Sequence, residues 1–121
     1  MPRSEDRTIL ILADEEHIRR FLSEFFFFSG FKVILADDAI EALDTLLNKS
    51  CGILITDMDM AEMDGIELVV KIRNLGISLP IIGMSSTNRK TEFLSAGADY
   101  FLLKPFSIYH LKSLIHALFN K

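Results

Sequence analysis

Five short apolar runs alternate along this chain with segments whose apolar residues recur at helical spacing. The runs are residues 8–13 (TILILA), 52–56 (GILIT), 79–84 (LPIIGM) and 98–103 (ADYFLL), with 31–36 (FKVILA) as a mixed fifth. Runs this brief read as strands buried on both faces rather than as helices. Between them, sets such as Ile40, Leu43, Leu46 and Leu47, or Ile66, Val69, Val70 and Ile72, put apolar side chains on one helical face. Parallel neighbours need long crossovers, and those crossovers are right-handed, so strict alternation predicts a doubly wound α/β domain with five parallel strands and five helices. Gly30, Gly76 and Gly97 stand just past helical segments, where a left-handed residue ends a helix.

The chain has 121 residues, half of them hydrophobic and a quarter charged, which suits one packed domain and excludes a disordered or low-complexity segment. A net charge of −4 lacks the basic excess that binding a nucleic acid backbone requires, so no direct nucleic acid binding is expected. Cys51 stands alone, excluding an internal disulfide or a cysteine-rich metal cluster and fitting a reducing compartment. The first seven residues are polar and mixed in charge, and no apolar run approaches membrane-spanning length. The expectation is a cytoplasmic protein, away from the membrane, with a polar segment at 1–7 and one domain at 8–121.

The segment at 16–29 contains four consecutive phenylalanines, Phe25 to Phe28. At about 100° per residue, Ile18, Leu22, Phe25, Phe26 and Ser29 share a face with Phe21 beside them, Phe27 points nearly opposite and Phe28 lies on the flank. Phe27 and Phe28 are therefore candidates for docking a partner.

In an open parallel sheet the functional crevice lies beyond the carboxyl ends of the strands. The residues there are Asp14, Glu15 and Glu16 after the first run, Asp57 and Asp59 after the third, Ser85, Ser86 and Thr87 after the fourth, and Lys104 and Pro105 after the fifth. Carboxylates gathered on one edge repel unless a divalent cation binds, and an all-oxygen set without histidine suits Mg²⁺. With Mg²⁺ and Lys104 neutralising a phosphoryl group, Asp57 can attack phosphorus and a hydroxyl after the fourth strand can hydrogen-bond the transferred group. His17, His110 and His116 fall on helical segments without a metal-spaced partner, and Cys51 precedes a buried strand as an inert small hydrophobe. On the last helix Leu111, Leu114, Ile115 and Leu118 face the sheet, and Tyr109, His110 and Lys112 face outward.

From Thr8 onward the sequence resembles the receiver domain of two-component response regulators. ILIT-Asp57-MDMAEM-Asp64-Gly65-IEL is similar to that family's phosphoacceptor strand and loop, and Leu102-Leu103-Lys104-Pro105-Phe106 to its lysine-proline signature. The resemblance implies a flavodoxin-like sheet of order 2-1-3-4-5, with Asp57 as phosphoacceptor and Lys104 as its phosphate-pairing partner. It makes Ser85 the switch hydroxyl, Phe101 the switch aromatic and Lys104-Pro105 a cis bond. Mg²⁺ would be held by Asp14, Asp57 and the backbone carbonyl of Asp59. A sensor histidine kinase or histidine phosphotransfer protein would donate the phosphoryl group, and an unidentified downstream protein would read the result. Such a domain catalyses only its own phosphorylation and dephosphorylation, and with no output domain in this length its signal would pass through partner binding.

Several positions depart from that pattern. Ala13 stands where the first of two adjacent acids is usual, removing a carboxylate that Glu15 or the Asp59 side chain would have to replace. Ala61 replaces a usual proline, Phe101 lacks the hydroxyl of a tyrosine, and the stretch between Ser85 and Gly97 is about three residues short, nearly one helical turn. The alternative is a pseudo-receiver, a protein-interaction module left unphosphorylated because Ala13 degrades the metal site. Asp57-Met58-Asp59 also resembles the nucleophile motif of haloacid-dehalogenase-type phosphatases, but it lies on the third strand of a short chain with a lysine-proline ending. A flavin site lacks its hydroxyl- and glycine-rich phosphate loop after the first strand.

Overall fold

The computed structural model describes residues 7–120. Most of the polar segment at 1–7, namely 1–6, lies outside the described residues. The elements are β1 (Thr8–Leu12), α1 (Glu16–Phe28), β2 (Lys32–Ala36), α2 (Ala39–Asn48), β3 (Ile53–Asp57), α3 (Gly65–Asn74), β4 (Ile81–Ser85), α4 (Lys90–Ala96), β5 (Tyr100–Leu103) and α5 (Ile108–Phe119). Five parallel strands form one sheet in the order β2-β1-β3-β4-β5. This is the doubly wound α/β fold expected from the alternation, in the expected strand order.

The three inner strands are buried along their whole length, which is why they read as unbroken apolar runs. Their alternation sorts side chains into two cores. Ile9, Ile11, Ile53, Ile55, Ile82 and Met84 join Leu22 and Phe26 of α1 and Leu111, Ile115 and Leu118 of α5. Leu10, Leu12, Leu54 and Ile81 join Ala39 and Ala42 of α2, Leu68, Val69 and Ile72 of α3 and Phe93 of α4. The edge strand β2 exposes Lys32 and Leu35. Among the described residues no helix is long and apolar enough to cross a membrane.

Two helical faces differ from the expected ones. Ile40 and Leu47 are exposed, and α2 turns Ala39 and Ala42 to the sheet with Leu43 and Leu46 packed alongside. The stripe therefore begins one residue earlier, and its small alanines let the helix lie close to the strands. In α3 the buried stripe is Gly65, Leu68, Val69 and Ile72, which leaves Val70 exposed. On α5, Lys112 is not free on the outer face, because its Nζ lies 5.7 Å from the centre of the Phe25 ring.

The strand ends are set by side chains. Arg73, in the last turn of α3, donates to the carbonyls of Ile77, Leu79 and Gly97. Asp99 accepts from the Ile81 N–H at 2.8 Å. These bonds hold 77–80 and 97–99 as loops, so β4 and β5 begin at Ile81 and Tyr100, two residues later than the apolar runs. Gly30, Gly76 and Gly97 have φ of 94°, 80° and 118°, the left-handed geometry expected after helices. In keeping with the short stretch between Ser85 and Gly97 relative to the pattern it resembles, which implies a short or distorted fourth helix, α4 has seven residues. Its one buried side chain is Phe93, whose ring lies where a Cβ on Gly83 of β4 would be.

Gly83→Ala is therefore expected to destabilise the fold by about 1–3 kcal/mol through overpacking. Urea unfolding measures it, and adding Phe93→Leu, which vacates that space, should recover part of the loss.

Candidate functional site

Asp57 is the last residue of β3, the central strand, and is 2% exposed. Lys104, just past β5, reaches it across the carboxyl edge of the sheet, with Nζ 2.9 Å from each carboxylate oxygen. The Met58 N–H donates to Oδ1 at 3.0 Å. The Lys104 backbone is held in turn, its N–H donating to the Ser85 carbonyl at 2.8 Å, and the Lys104-Pro105 bond is cis. A carboxylate this deep is costly unless paired and hydrogen-bonded, and here it is both.

The approach of α3 completes the floor. Asp64 caps that helix in a reciprocal capping box with Glu67, and the Gly65 N–H donates to the Met58 carbonyl at 3.0 Å. A Cβ on Gly65 would overlap the Asp57 carbonyl oxygen, so only glycine lets α3 begin so close to the acid.

Above Asp57 opens a cleft of about 520 Å³. Half of its lining residues are polar, namely Asp14, Glu15, Asp57, Asp59, Ser86 and Lys104, and half apolar, namely Ile18, Phe21, Leu22, Pro105, Phe106 and Ile108. Asp14 is exposed just past β1, and Glu15 occupies the N-cap position of α1, its carboxylate 3.8 Å from His17 Nε2. Ala13 is buried, and its carbonyl accepts a 2.9 Å hydrogen bond from Arg19. Among the described residues no three side chains of the acidic, histidine or cysteine types are gathered closely enough to hold an ion by themselves. The donor set still fits Mg²⁺, which keeps several waters and is commonly held by one or two carboxylates together with a phosphate. Asp14 and Asp57 supply two carboxylates to the cleft, which Asp59 also lines.

Ser85 ends β4 but does not line the cleft. It is 1% exposed and accepts the Thr87 N–H at 3.1 Å, with the two hydroxyls 3.3 Å apart. Phe101 is half-buried on β5, its ring 5.7 Å from that of Phe93. Phe27 and Phe28 are 65% and 83% exposed and meet edge to face, outside the cleft. None of the three histidines lines the cleft, and burial pushes the Cys51 thiol up, away from reactive thiolate.

A family model for the response regulator receiver domain matches residues 9–116. The chain belongs to the response regulator receiver domain family. It is 34% identical over 116 residues to the response regulator MprA of Mycobacterium sp. (strain KMS), covering 93% of this chain and 50% of that protein. The receiver domain thus spans about half the length of the curated relatives it matches. Among solved structures, the Francisella response regulator 1452 receiver domain superposes with a TM-score of 0.90 at 30% identity, over 93% of this chain and 96% of that one. TrrA from Thermotoga maritima, solved in complex with Mg²⁺-BeF, superposes with a TM-score of 0.84 at 27% identity, over 92% and 97%.

The receiver fold brings Asp14, Glu15, Asp57, Asp59 and Lys104 to one cleft and leaves Ser85, Phe101, Phe27 and Phe28 outside it. Of the three hydroxyl residues after the fourth run, Ser86 is the one that lines the cleft, whereas the apolar half of the lining was not read as part of the site. That half had a signal, since Ile18, Phe21 and Leu22 sit at i, i+3 and i+4 on the turn of helix nearest the acids.

Lys104→Met is expected to lower stability by about 1–3 kcal/mol, because the buried Asp57 carboxylate loses its main partner. Asp57→Asn in that background should recover most of the loss, which a double-mutant cycle of urea melts would read.

Proposed function

We propose that this receiver domain accepts a phosphoryl group on Asp57 in a two-component phosphorelay and transmits it by changing its partner-binding surface. The observation that carries this reading is the Asp57 carboxylate, buried at the floor of an open cleft with Lys104 2.9 Å from both of its oxygens and Asp14 lining the same cleft. In the transfer, an Asp57 oxygen attacks phosphorus. The P–N bond to the donor histidine breaks, its electron pair returns to the imidazole nitrogen, and an acyl phosphate remains on Asp57. Lys104 neutralises charge on the phosphoryl oxygens, and the Met58 N–H stays on the carboxylate. Mg²⁺, held by Asp14, Asp57 and the Asp59 carbonyl, would supply the remaining positive charge. Ser85 would donate its hydroxyl to the phosphoryl group once it leaves Thr87, and Phe101 would repack in response. The domain acts on itself alone and is not an enzyme with turnover.

The apolar half of the lining gives the donor a place to dock. Ile18 and Phe21 on α1 and Phe106 and Ile108 before and at the start of α5 form a wall beside the acid, suited to the apolar face of a helix carrying the donor histidine. A sensor histidine kinase or a histidine phosphotransfer protein has that chemistry. A downstream protein would read the switched surface in the cytoplasm, without direct nucleic acid contact by this domain.

Ala13 favours a second reading, in which the domain binds partners without being phosphorylated. One carboxylate of the usual pair is missing, and the described side chains do not form a three-acid cluster. Intact-mass measurement after incubation with acetyl phosphate and Mg²⁺ separates the two. The phosphoacceptor reading expects one added phosphoryl group in the wild type and none in Asp57→Asn, and no adduct over a wide Mg²⁺ range would support the pseudo-receiver.

A further inference from the structure

The Ser85 hydroxyl, which the proposed chemistry uses, is engaged with Thr87 in this conformation. Ser85 Oγ accepts the Thr87 N–H at 3.1 Å and lies 3.3 Å from Thr87 Oγ1, so the two residues close a local side-chain turn. Ser85 is 1% exposed and does not line the cleft, whereas its neighbour Ser86 does. Both ends of the β4 terminus are held at this point, because the Ser85 carbonyl also accepts the Lys104 N–H at 2.8 Å. With that carbonyl fixed, a change of the Ser85 side-chain rotamer gives up its contacts with Thr87.

We infer that Thr87 is a positioning residue: it latches the Ser85 hydroxyl in a resting orientation, and opening the Ser85–Thr87 contact is the step that lets Ser85 reach a phosphoryl group on Asp57. The inference rests on the phosphoacceptor reading of Asp57. It adds that the switch equilibrium depends on the side chain two residues past Ser85. Thr87 has the right chemistry for this role. Its hydroxyl both accepts and donates, so it can hold Ser85 whichever of the two supplies the proton, and it is exposed, so water can replace Ser85 as its partner on opening.

Thr87→Val keeps the shape and the backbone N–H but deletes the hydroxyl, and Thr87→Ser keeps the hydroxyl. The first readout needs no phosphoryl group: side-chain couplings that report the Ser85 χ1 rotamer, with amide exchange at residue 87, in the unmodified protein. Thr87→Val should raise the minor Ser85 rotamer and the exchange rate about three- to tenfold, the shift given by loss of one hydrogen bond, and Thr87→Ser should match the wild type. The second readout is the half-saturating concentration of beryllofluoride with Mg²⁺, which should fall by a similar factor in Thr87→Val, again with Thr87→Ser unchanged. A folded Thr87→Val whose Ser85 couplings equal those of the wild type would overturn the latch. Freed couplings with unchanged beryllofluoride binding would overturn its role in switching. If the wild type binds no beryllofluoride and takes no phosphoryl group, the phosphoacceptor reading and the gating both fail, and the couplings alone decide whether the latch exists.

Discussion

The contact between Lys104 and Asp57 is the constraint around which the carboxyl edge of the sheet is built. It joins the residue after the edge strand β5 to the end of the central strand β3, across β4, with Nζ 2.9 Å from both carboxylate oxygens. Asp57 is almost wholly buried, so the pairing offsets a desolvation cost that the fold would otherwise carry unrelieved. Its position follows from the whole fold. Parallel pairing aligns the ends of β3, β4 and β5, Gly65 lets α3 start against the Asp57 carbonyl, and the Lys104 N–H is bound to Ser85. A group that brings its own negative charge to Asp57 must share or displace this lysine. The contact that stabilises the resting protein is thus also the one that phosphorylation would rearrange.

The remaining charge on that edge is less evenly matched. Asp14, Glu15 and Asp59 line the same cleft as Asp57, and Lys104 is the one cation among the described residues that line it. Ala13 adds no carboxylate to this repulsion, and on the proposed cation-assisted reading it would also leave the cation with one donor fewer. Arg19, which donates to the Ala13 carbonyl, holds the start of the loop in place without restoring an acid. On that reading, position 13 would trade repulsion against cation affinity.

Much of this architecture was legible because buried parallel strands leave a clear trace: β1, β3 and β4 are each buried and mostly apolar, and the residues at and just past the strand ends are the acids, hydroxyls and lysine. The rotation of α2 was harder to read, because the pattern of large side chains drew attention to Ile40 and Leu47 while the residues against the sheet are alanines. At the site, Asp57 and Lys104 were readable from their place at strand ends. The hold of Thr87 on Ser85 and the clearance at Gly65 were not, since both depend on loop geometry over a few tenths of an ångström. Phe27 was readable as exposed from helical angle alone, whereas Lys112 was misplaced, because a lysine that lies over Phe25 cannot be told from a solvated one by periodicity.

The central claim is that Asp57 belongs to a cation-assisted phosphoacceptor site that operates with one acid fewer than usual. A titration of Mg²⁺ followed by backbone amide shifts tests it directly, with Ala13→Asp as the comparison. Saturable shifts confined to Asp14, Met58, Asp59 and Lys104 are expected, with half-saturation roughly tenfold lower in Ala13→Asp, the scale by which a supporting ligand tunes a metal site. The absence of saturable shifts in the wild type, with or without beryllofluoride, would contradict the account.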